Sequence, residues 1–242
     1  MTNQFSLLLS FLVLLGFVPS GVCASSSGII LNGEETSVYF NDGDTFKVLS
    51  GPLKGKRSRL NGFNTLEAYG PVHHWGSFTT RDLQRIADAG TKVAQKGGWH
   101  CTTDGSVDTY QRILSTCSDL GAKLVSTGLA HVLSVTKEPG DAKLVQLQRR
   151  AIQEKKGMWA KGTPAFILSS LHSVDEKEDG SEVYNRAVST LDGHSELILH
   201  KNAYEDCEEV CYAPTQADLA SCMIYVKFEN RYGSTQASCL RN

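Results

Sequence analysis

The stretch Val38-Tyr39-Phe40-Asn41-Asp42-Gly43-Asp44-Thr45-Phe46-Lys47-Val48-Leu49 decides the fold. Its two ends are β-branched and aromatic, the residue types that pack well on a pleated, half-buried surface. Asn41-Asp42-Gly43-Asp44 between them are turn formers, because Asn and Asp side chains hydrogen-bond nearby backbone and Gly accepts positive φ. The segment predicts strand, tight turn, strand. Downstream, Ser50-Gly51-Pro52 and Gly55 predict a second turn into Arg57-Ser58-Arg59-Leu60, a third strand that pairs with its predecessor.

Beyond these strands the hydrophobic period changes. Thr80 offers an N-cap to a helix whose face carries Leu83, Ile86, Ala87, Val93 and Ala94, interrupted by Gly90 and stopped by Gly97-Gly98. Gly98-Trp99-His100-Cys101 and Arg112-Ile113-Leu114-Ser115-Thr116-Cys117 then read as a hairpin with a long polar loop. Residues 124–132, and the run containing Leu144, Leu147, Ala151 and Ile152, predict two more helices, the last ending at Gly157. Three strands, a helix, two strands and two helices imply an α+β fold, a small barrel with helices packed on it.

The chain divides into three expected regions. Residues 1–24 have an apolar run at 7–18, then Pro19 and Gly21, then Val22-Cys23-Ala24, the layout of a signal peptide cleaved after Ala24. The run is short for a bilayer span and no charged side chain precedes Glu34, so no stable membrane insertion is expected after its removal. Its n-region lacks Lys or Arg, and Val22 argues against a lipidated Cys23. Residues 25–162 hold 18 Lys and Arg against 13 Asp and Glu, a net of +5, whereas residues 163–242 hold 6 against 13, a net of −7. A basic body suits a phosphate-bearing partner, and an acidic tail repels one unless it faces away. Gly157, Gly162, Thr163 and Pro164 mark the boundary.

Cys101, Cys117, Cys207, Cys211, Cys222 and Cys239 remain after signal removal. An even count in an exported chain predicts disulfides over free thiols. Cys207-x3-Cys211 can open a zinc site, but Cys222 and Cys239 are too irregularly spaced for its second half. Cys101 and Cys117, near the ends of the two hairpin strands, are expected to pair, leaving the other four to pair among themselves. The tail's clearest strands are residues 195–200 and 223–229, giving a small, disulfide-rich, mainly β region of unread function.

The string from Val38 through Arg59-Leu60-Asn61-Gly62-Phe63-Asn64-Thr65-Leu66-Glu67, followed by Asp108-Thr109-Tyr110-Gln111-Arg112, Gly128-Leu129-Ala130 and Gln148-Arg149-Arg150-Ala151, resembles the thermonuclease, or staphylococcal-nuclease-like, family. Any one of these pieces is weak. Four in order on suitable elements are specific, and they span nearly the whole body. The resemblance implies a five-stranded OB-type barrel with three packed helices, and a secreted, calcium-dependent hydrolase of DNA or RNA phosphodiesters.

The same resemblance implies the site. Asp44, the side chain of Asn64 and the carbonyl of Thr65 would ligate Ca²⁺, with Asp42 outside them. Glu67 would act as base, Arg59 and Arg112 would clamp phosphate through planar guanidinium forks, and Tyr110 would touch the nucleotide. On the residues alone, Asp42 and Asp44 can be a simple turn, Arg59 and Arg112 strand surface, and Glu67 a solvated loop acid. The chain also departs from the family pattern. Asn64 stands where an Asp is usual, which removes one negative charge from the ligand set and weakens calcium binding, and Ser134 stands where a tyrosine often faces the base. His73-His74 reads as loop surface. The alternative function is a nuclease-fold module without turnover that binds nucleic acid or, through the acidic tail, a protein partner.

Overall fold

The computed structural model describes residues 26–241; the expected signal peptide lies outside the described residues. Strands β1 (Ser27–Leu31), β2 (Glu34–Phe40), β3 (Thr45–Val48) and β4 (Arg57–Leu60) form an antiparallel meander. Its register sets Val38 against Val48 and Phe40 against Phe46. The two phenylalanine rings meet edge to face at 5.4 Å. Both are fully buried, each such ring contributing roughly 1.5–3 kcal/mol through lost water contact.

Gly62, at φ 90°, turns the chain out of β4 and into β5 (Gly62–Thr65). Strand β6 (His73–Trp75) follows, and then helix α1 (Thr80–Ala94). The N-cap of α1 is Thr79, one residue before the expected Thr80, and it forms a reciprocal capping box with Asp82. Strand β7 (His100–Cys101) pairs parallel with β1, and β8 (Ile113–Ser115) pairs parallel with β4. The sheet order is therefore β7-β1-β2-β3-β4-β8. Its two edges meet where Thr102 and Thr116 exchange backbone hydrogen bonds of 2.9 and 2.8 Å, and the Cys101–Cys117 disulfide crosses the same seam. This nearly closes an OB-like barrel. The expectation of five strands is corrected: the sheet has six, because β1 adds a strand that the sequence reading did not include.

Helix α2 (Ser118–Ser126) begins earlier and ends sooner than expected, and β9 (Ala130–Leu133) follows it. The cause is Gly128, at φ 69°, whose Cα hydrogen faces the Lys156 carbonyl so closely that a Cβ would lie 2.3 Å from that oxygen. The helix cannot run through this position, and β-branched Val132 pairs with Phe63 of β5 instead. Helix α3 (Ala142–Gln153), capped by Asp141, packs on α2.

The tail builds a second sheet system. Strands β10 (Phe166–Ser170), β11 (Val183–Ser189) and β12 (Ser195–His200) form one antiparallel sheet. Strands β13 (Glu209–Tyr212) and β14 (Ser221–Ile224) form another, and its third strand is β6 from the body. Body and tail thus share a sheet, and Val72 sits in the tail's core with Leu168, Tyr204 and Val226. Cys207–Cys239 and Cys211–Cys222 complete the bridges. The strand expected over 223–229 ends at Ile224, and residues 228–230 form a 3-10 turn.

Candidate active site

The tip of the β2–β3 hairpin lies beside the first residues of β4 and the last of β5. Asn41 N–H donates to Thr45 O (3.0 Å) to close the turn, and Asp44 N–H donates to Asp42 Oδ1 (3.1 Å). These bonds hold two carboxylates at one end of the barrel. Asp44 is 2 % exposed, and its Oδ2 accepts from the Thr65 backbone N–H (2.6 Å) and hydroxyl (3.0 Å). The register that sets Thr45 opposite Arg59 brings that side chain alongside. One guanidinium nitrogen of Arg59 donates to Asp44 Oδ1 and the other to Asn64 Oδ1.

Asn64 is oriented from behind. Its Nδ2 donates to Thr65 O (2.8 Å) and lies 3.3 Å from His131 Nε2, across the β5–β9 pair. His131 Nδ1 lies 2.9 Å from Val132 O, so Nδ1 carries the proton and Nε2 is free to accept. The amide oxygen of Asn64 therefore faces Arg59.

Asp42, Asp44, Arg59, Thr65, Glu67, Tyr110 and Arg112 line one cavity of about 720 Å³. Asn64 is buried behind its wall and touches it through Arg59. Arg112 is aimed by Asp108, which takes its Nε at 2.7 Å and its backbone N–H at 2.9 Å, leaving the two terminal nitrogens for a ligand. Its guanidinium carbon lies 5.4 Å from the centre of the Tyr110 ring. Burial, then the Asp44 charge, pushes the Glu67 carboxyl up from its ordinary value, opposed by Arg231, Arg59 and Arg112. Burial, then Asp44 and Glu67, pushes Asp42 well up. Carboxylates stripped of water and crowded together favour a nearby cation.

The oxygens present suit a hard divalent ion. Asp44 Oδ1 and Asn64 Oδ1 converge on a single guanidinium, and Thr65 O is adjacent through the Asn64 amide. These are the oxygen donors such ions take, and Arg59 would have to withdraw to admit one. His74, Glu209 and Cys222 also cluster, but Cys222 is spent in a disulfide.

His73 and His74 are not loop surface. They belong to β6; His73 is 2 % exposed, and its Nε2 accepts the Glu67 backbone N–H at 3.2 Å. His74 pairs with Glu209 at 3.3 Å. Ser134 lies outside the cavity lining and bonds Thr136. The sequence reading missed a second group of cavity residues from the tail, among them Lys227, Phe228, Arg231 and Tyr232. The alternating polarity of residues 223–229 suggested a continuing strand; the signal overlooked was two aromatics interleaved with Lys227 and Arg231.

Residues 58–161 match the family model of the staphylococcal nuclease homologue, and no curated protein matches the chain. The match covers β4 through α3, including Arg59, Asn64, Glu67 and Arg112, and leaves the Asp42–Asp44 turn and the tail outside it. The matched segment forms barrel strands, packed helices and most of this site, so that residues 58–161 are similar to the staphylococcal nuclease homologue and carry a domain of that type.

Proposed function

We propose that the protein is a secreted, calcium-dependent nuclease that hydrolyses phosphodiester bonds of DNA or RNA. The observation that carries this reading is the convergence of Glu67, Arg112 and the Arg59–Asp44–Asn64 group on one cavity. Residues 1–24 are read as its export signal, 25–162 as the nuclease domain and 163–242 as an acidic cysteine-rich extension. Three disulfides agree with an oxidising compartment. No helix among the described residues is long and apolar enough to cross a membrane.

The substrate phosphate carries charge that grows at its oxygens as water attacks. Arg112, aimed by Asp108, and Arg59, once released from Asp44, offer paired donors to those oxygens. Glu67 takes a proton from the attacking water, a role favoured by its raised pKa. The new phosphorus–oxygen bond forms in line as the bond to the leaving sugar oxygen breaks, and solvent protonates that oxygen. Asp44, Asn64 and Thr65, with Asp42 outside them, would hold a calcium ion, which would supply further neutralisation of phosphate charge. Tyr110, 66 % exposed beside Arg112, offers a face to the nucleotide.

A second reading, a module that binds nucleic acid or a protein partner without turnover, is favoured by one observation: Arg59 already neutralises Asp44 and occupies the Asn64 amide oxygen. Incubation of the intact, oxidised protein with plasmid and RNA, with calcium or a chelator, separates the two. Cleavage lost with chelator and with Glu67→Ala supports the nuclease. Binding without cleavage at every calcium concentration supports the module.

A further inference from the structure

The cavity has two walls, and only one belongs to the matched family segment. The other comes from the tail, where β14 ends and residues 225–232 cross the mouth of the barrel. This segment is held in place rather than draped. Asp206 accepts the Lys227 backbone N–H at 2.8 Å and Asn230 Nδ2 at 2.6 Å. Ala237 N–H donates to Asn230 O at 2.9 Å, and the Cys207–Cys239 bridge spans the enclosing loop. Arg231 donates Nε to Val226 O at 3.1 Å and stacks over Tyr69, two residues after Glu67, with its guanidinium carbon 5.0 Å from the ring centre. Gln236 Nε2 donates to both Tyr69 O (3.4 Å) and Arg231 O (3.2 Å), joining the two walls.

The exposed side chains of this wall have a consistent chemistry. Phe228 is 76 % exposed and Tyr232 is 62 % exposed, and across the cavity Tyr110 is 66 % exposed. Three large rings left in water around one cavity cost free energy unless a ligand covers them. Five cations, Arg57, Arg59, Arg112, Lys227 and Arg231, line the same space. The acids on the tail side are Asp175, Glu176 and Glu229, and Glu176 is engaged by the Tyr225 hydroxyl and His172 Nδ1, each at 2.9 Å. They discourage a phosphate at that edge and leave the centre to the arginines.

Guanidinium groups interleaved with exposed rings match unpaired nucleic acid, in which each nucleotide brings one phosphate charge and one free π-face. A duplex keeps its bases stacked inside and cannot present them to the rings. We propose that Lys227, Phe228, Arg231 and Tyr232 form the second wall of the substrate site, and that its ligand is single-stranded nucleic acid. The cations take phosphates and the rings stack on bases; this rests on the nuclease reading above. The acidic tail, by this account, is part of the site.

The test uses the intact, oxidised protein and three labelled probes: an oligothymidylate, the same backbone without bases, and a duplex. Binding is measured by anisotropy in chelator, and cleavage separately with calcium. Phe228→Ala with Tyr232→Ala should weaken oligothymidylate binding about tenfold or more and leave the base-free backbone and duplex little changed. Arg231→Ala should weaken the oligothymidylate and the base-free backbone alike, with Arg231→Lys partly restoring both. Circular dichroism and melting of each variant show that the fold is kept. If wild type cleaves and none of these variants alters binding, the second wall is refuted while the nuclease reading stands. If wild type does not cleave but its binding responds as described, the nuclease reading falls and the binding wall stands.

Discussion

His73 gives the most direct physical test of how the two segments are assembled. It is 2 % exposed in the strand shared by body and tail, and burial, then electrostatic repulsion with His131, lowers its pKa from 6.5 to about 3. The Trp75 ring lies 6.2 Å away, and the Glu67 backbone N–H requires Nε2 to stay an acceptor. Because the folded pKa lies below the unfolded one, the unfolded chain binds a proton first as pH falls. The resulting stabilisation of the fold is complete above about pH 6.5 and is lost progressively toward pH 3. Between pH 7 and 5 the loss from this one residue comes to about 2 kcal/mol. His73→Gln keeps an oxygen acceptor for Glu67 N–H and removes the titration. Denaturant unfolding of wild type and variant at the two pH values isolates the difference, since other titrating groups act on both proteins alike. An equal loss of stability in the two proteins would show that His73 titrates normally and that the shared strand is not buried as described.

Replacing Cys101 and Cys117 by serine opens the seam of the barrel, and a bridge closing a loop of 16 residues should cost about 3 kcal/mol in denaturant unfolding. Gly43→Ala sets a Cβ 2.4 Å from Thr65 Cγ2, which should lower stability by about 1–3 kcal/mol and reduce cleavage by shifting Asp44. Asn64→Asp replaces the amide hydrogens given to Thr65 O and His131 by a carboxylate, so the cation-free protein should lose about 1–3 kcal/mol. Its melting temperature should nevertheless rise more with added calcium than that of wild type, and no difference in that rise would remove Asn64 from the ligand set.

The body was legible because its signals are local. A turn of Asp and Gly between β-branched runs leaves the chain few choices, and the amphipathic face of α1 needs no partner to be read. Strand β1 was missed because Gly28-Ile29-Ile30 is short and has no alternating pattern; it becomes a strand only by pairing with β2 and β7. The 130–132 segment was assigned to a helix because its apolar residues are contiguous with those of α2. What ends the helix is a contact with Lys156, some thirty residues away. β6 was hidden for the same reason: two histidines in a row look like surface until Cys222 and Met223 are laid beside them. The site follows this division. The body's site residues lie on or directly beside strands β2 to β5 and β8, whereas the tail's contribution depends on a 3-10 turn after β14 that alternation could not distinguish from more strand.

Asn64 looks at first like a damaged ligand, since an acid in its place would bring more charge to a cation. The structure gives the amide a job that an acid cannot do. Its nitrogen is committed to two acceptors, Thr65 O and His131 Nε2, and flipping the group would set NH2 against the guanidinium of Arg59. Asparagine, His131 and Arg59 therefore form one consistent set of donors and acceptors. The acids nearby are Asp42 and Glu67, whose ionised forms burial and mutual repulsion disfavour and a bound cation would favour. Loss of charge at Asn64 thus argues for weaker cation binding with the site geometry preserved, and it is this preserved geometry that makes cleavage assays with graded calcium, rather than at one fixed concentration, the decisive measurement.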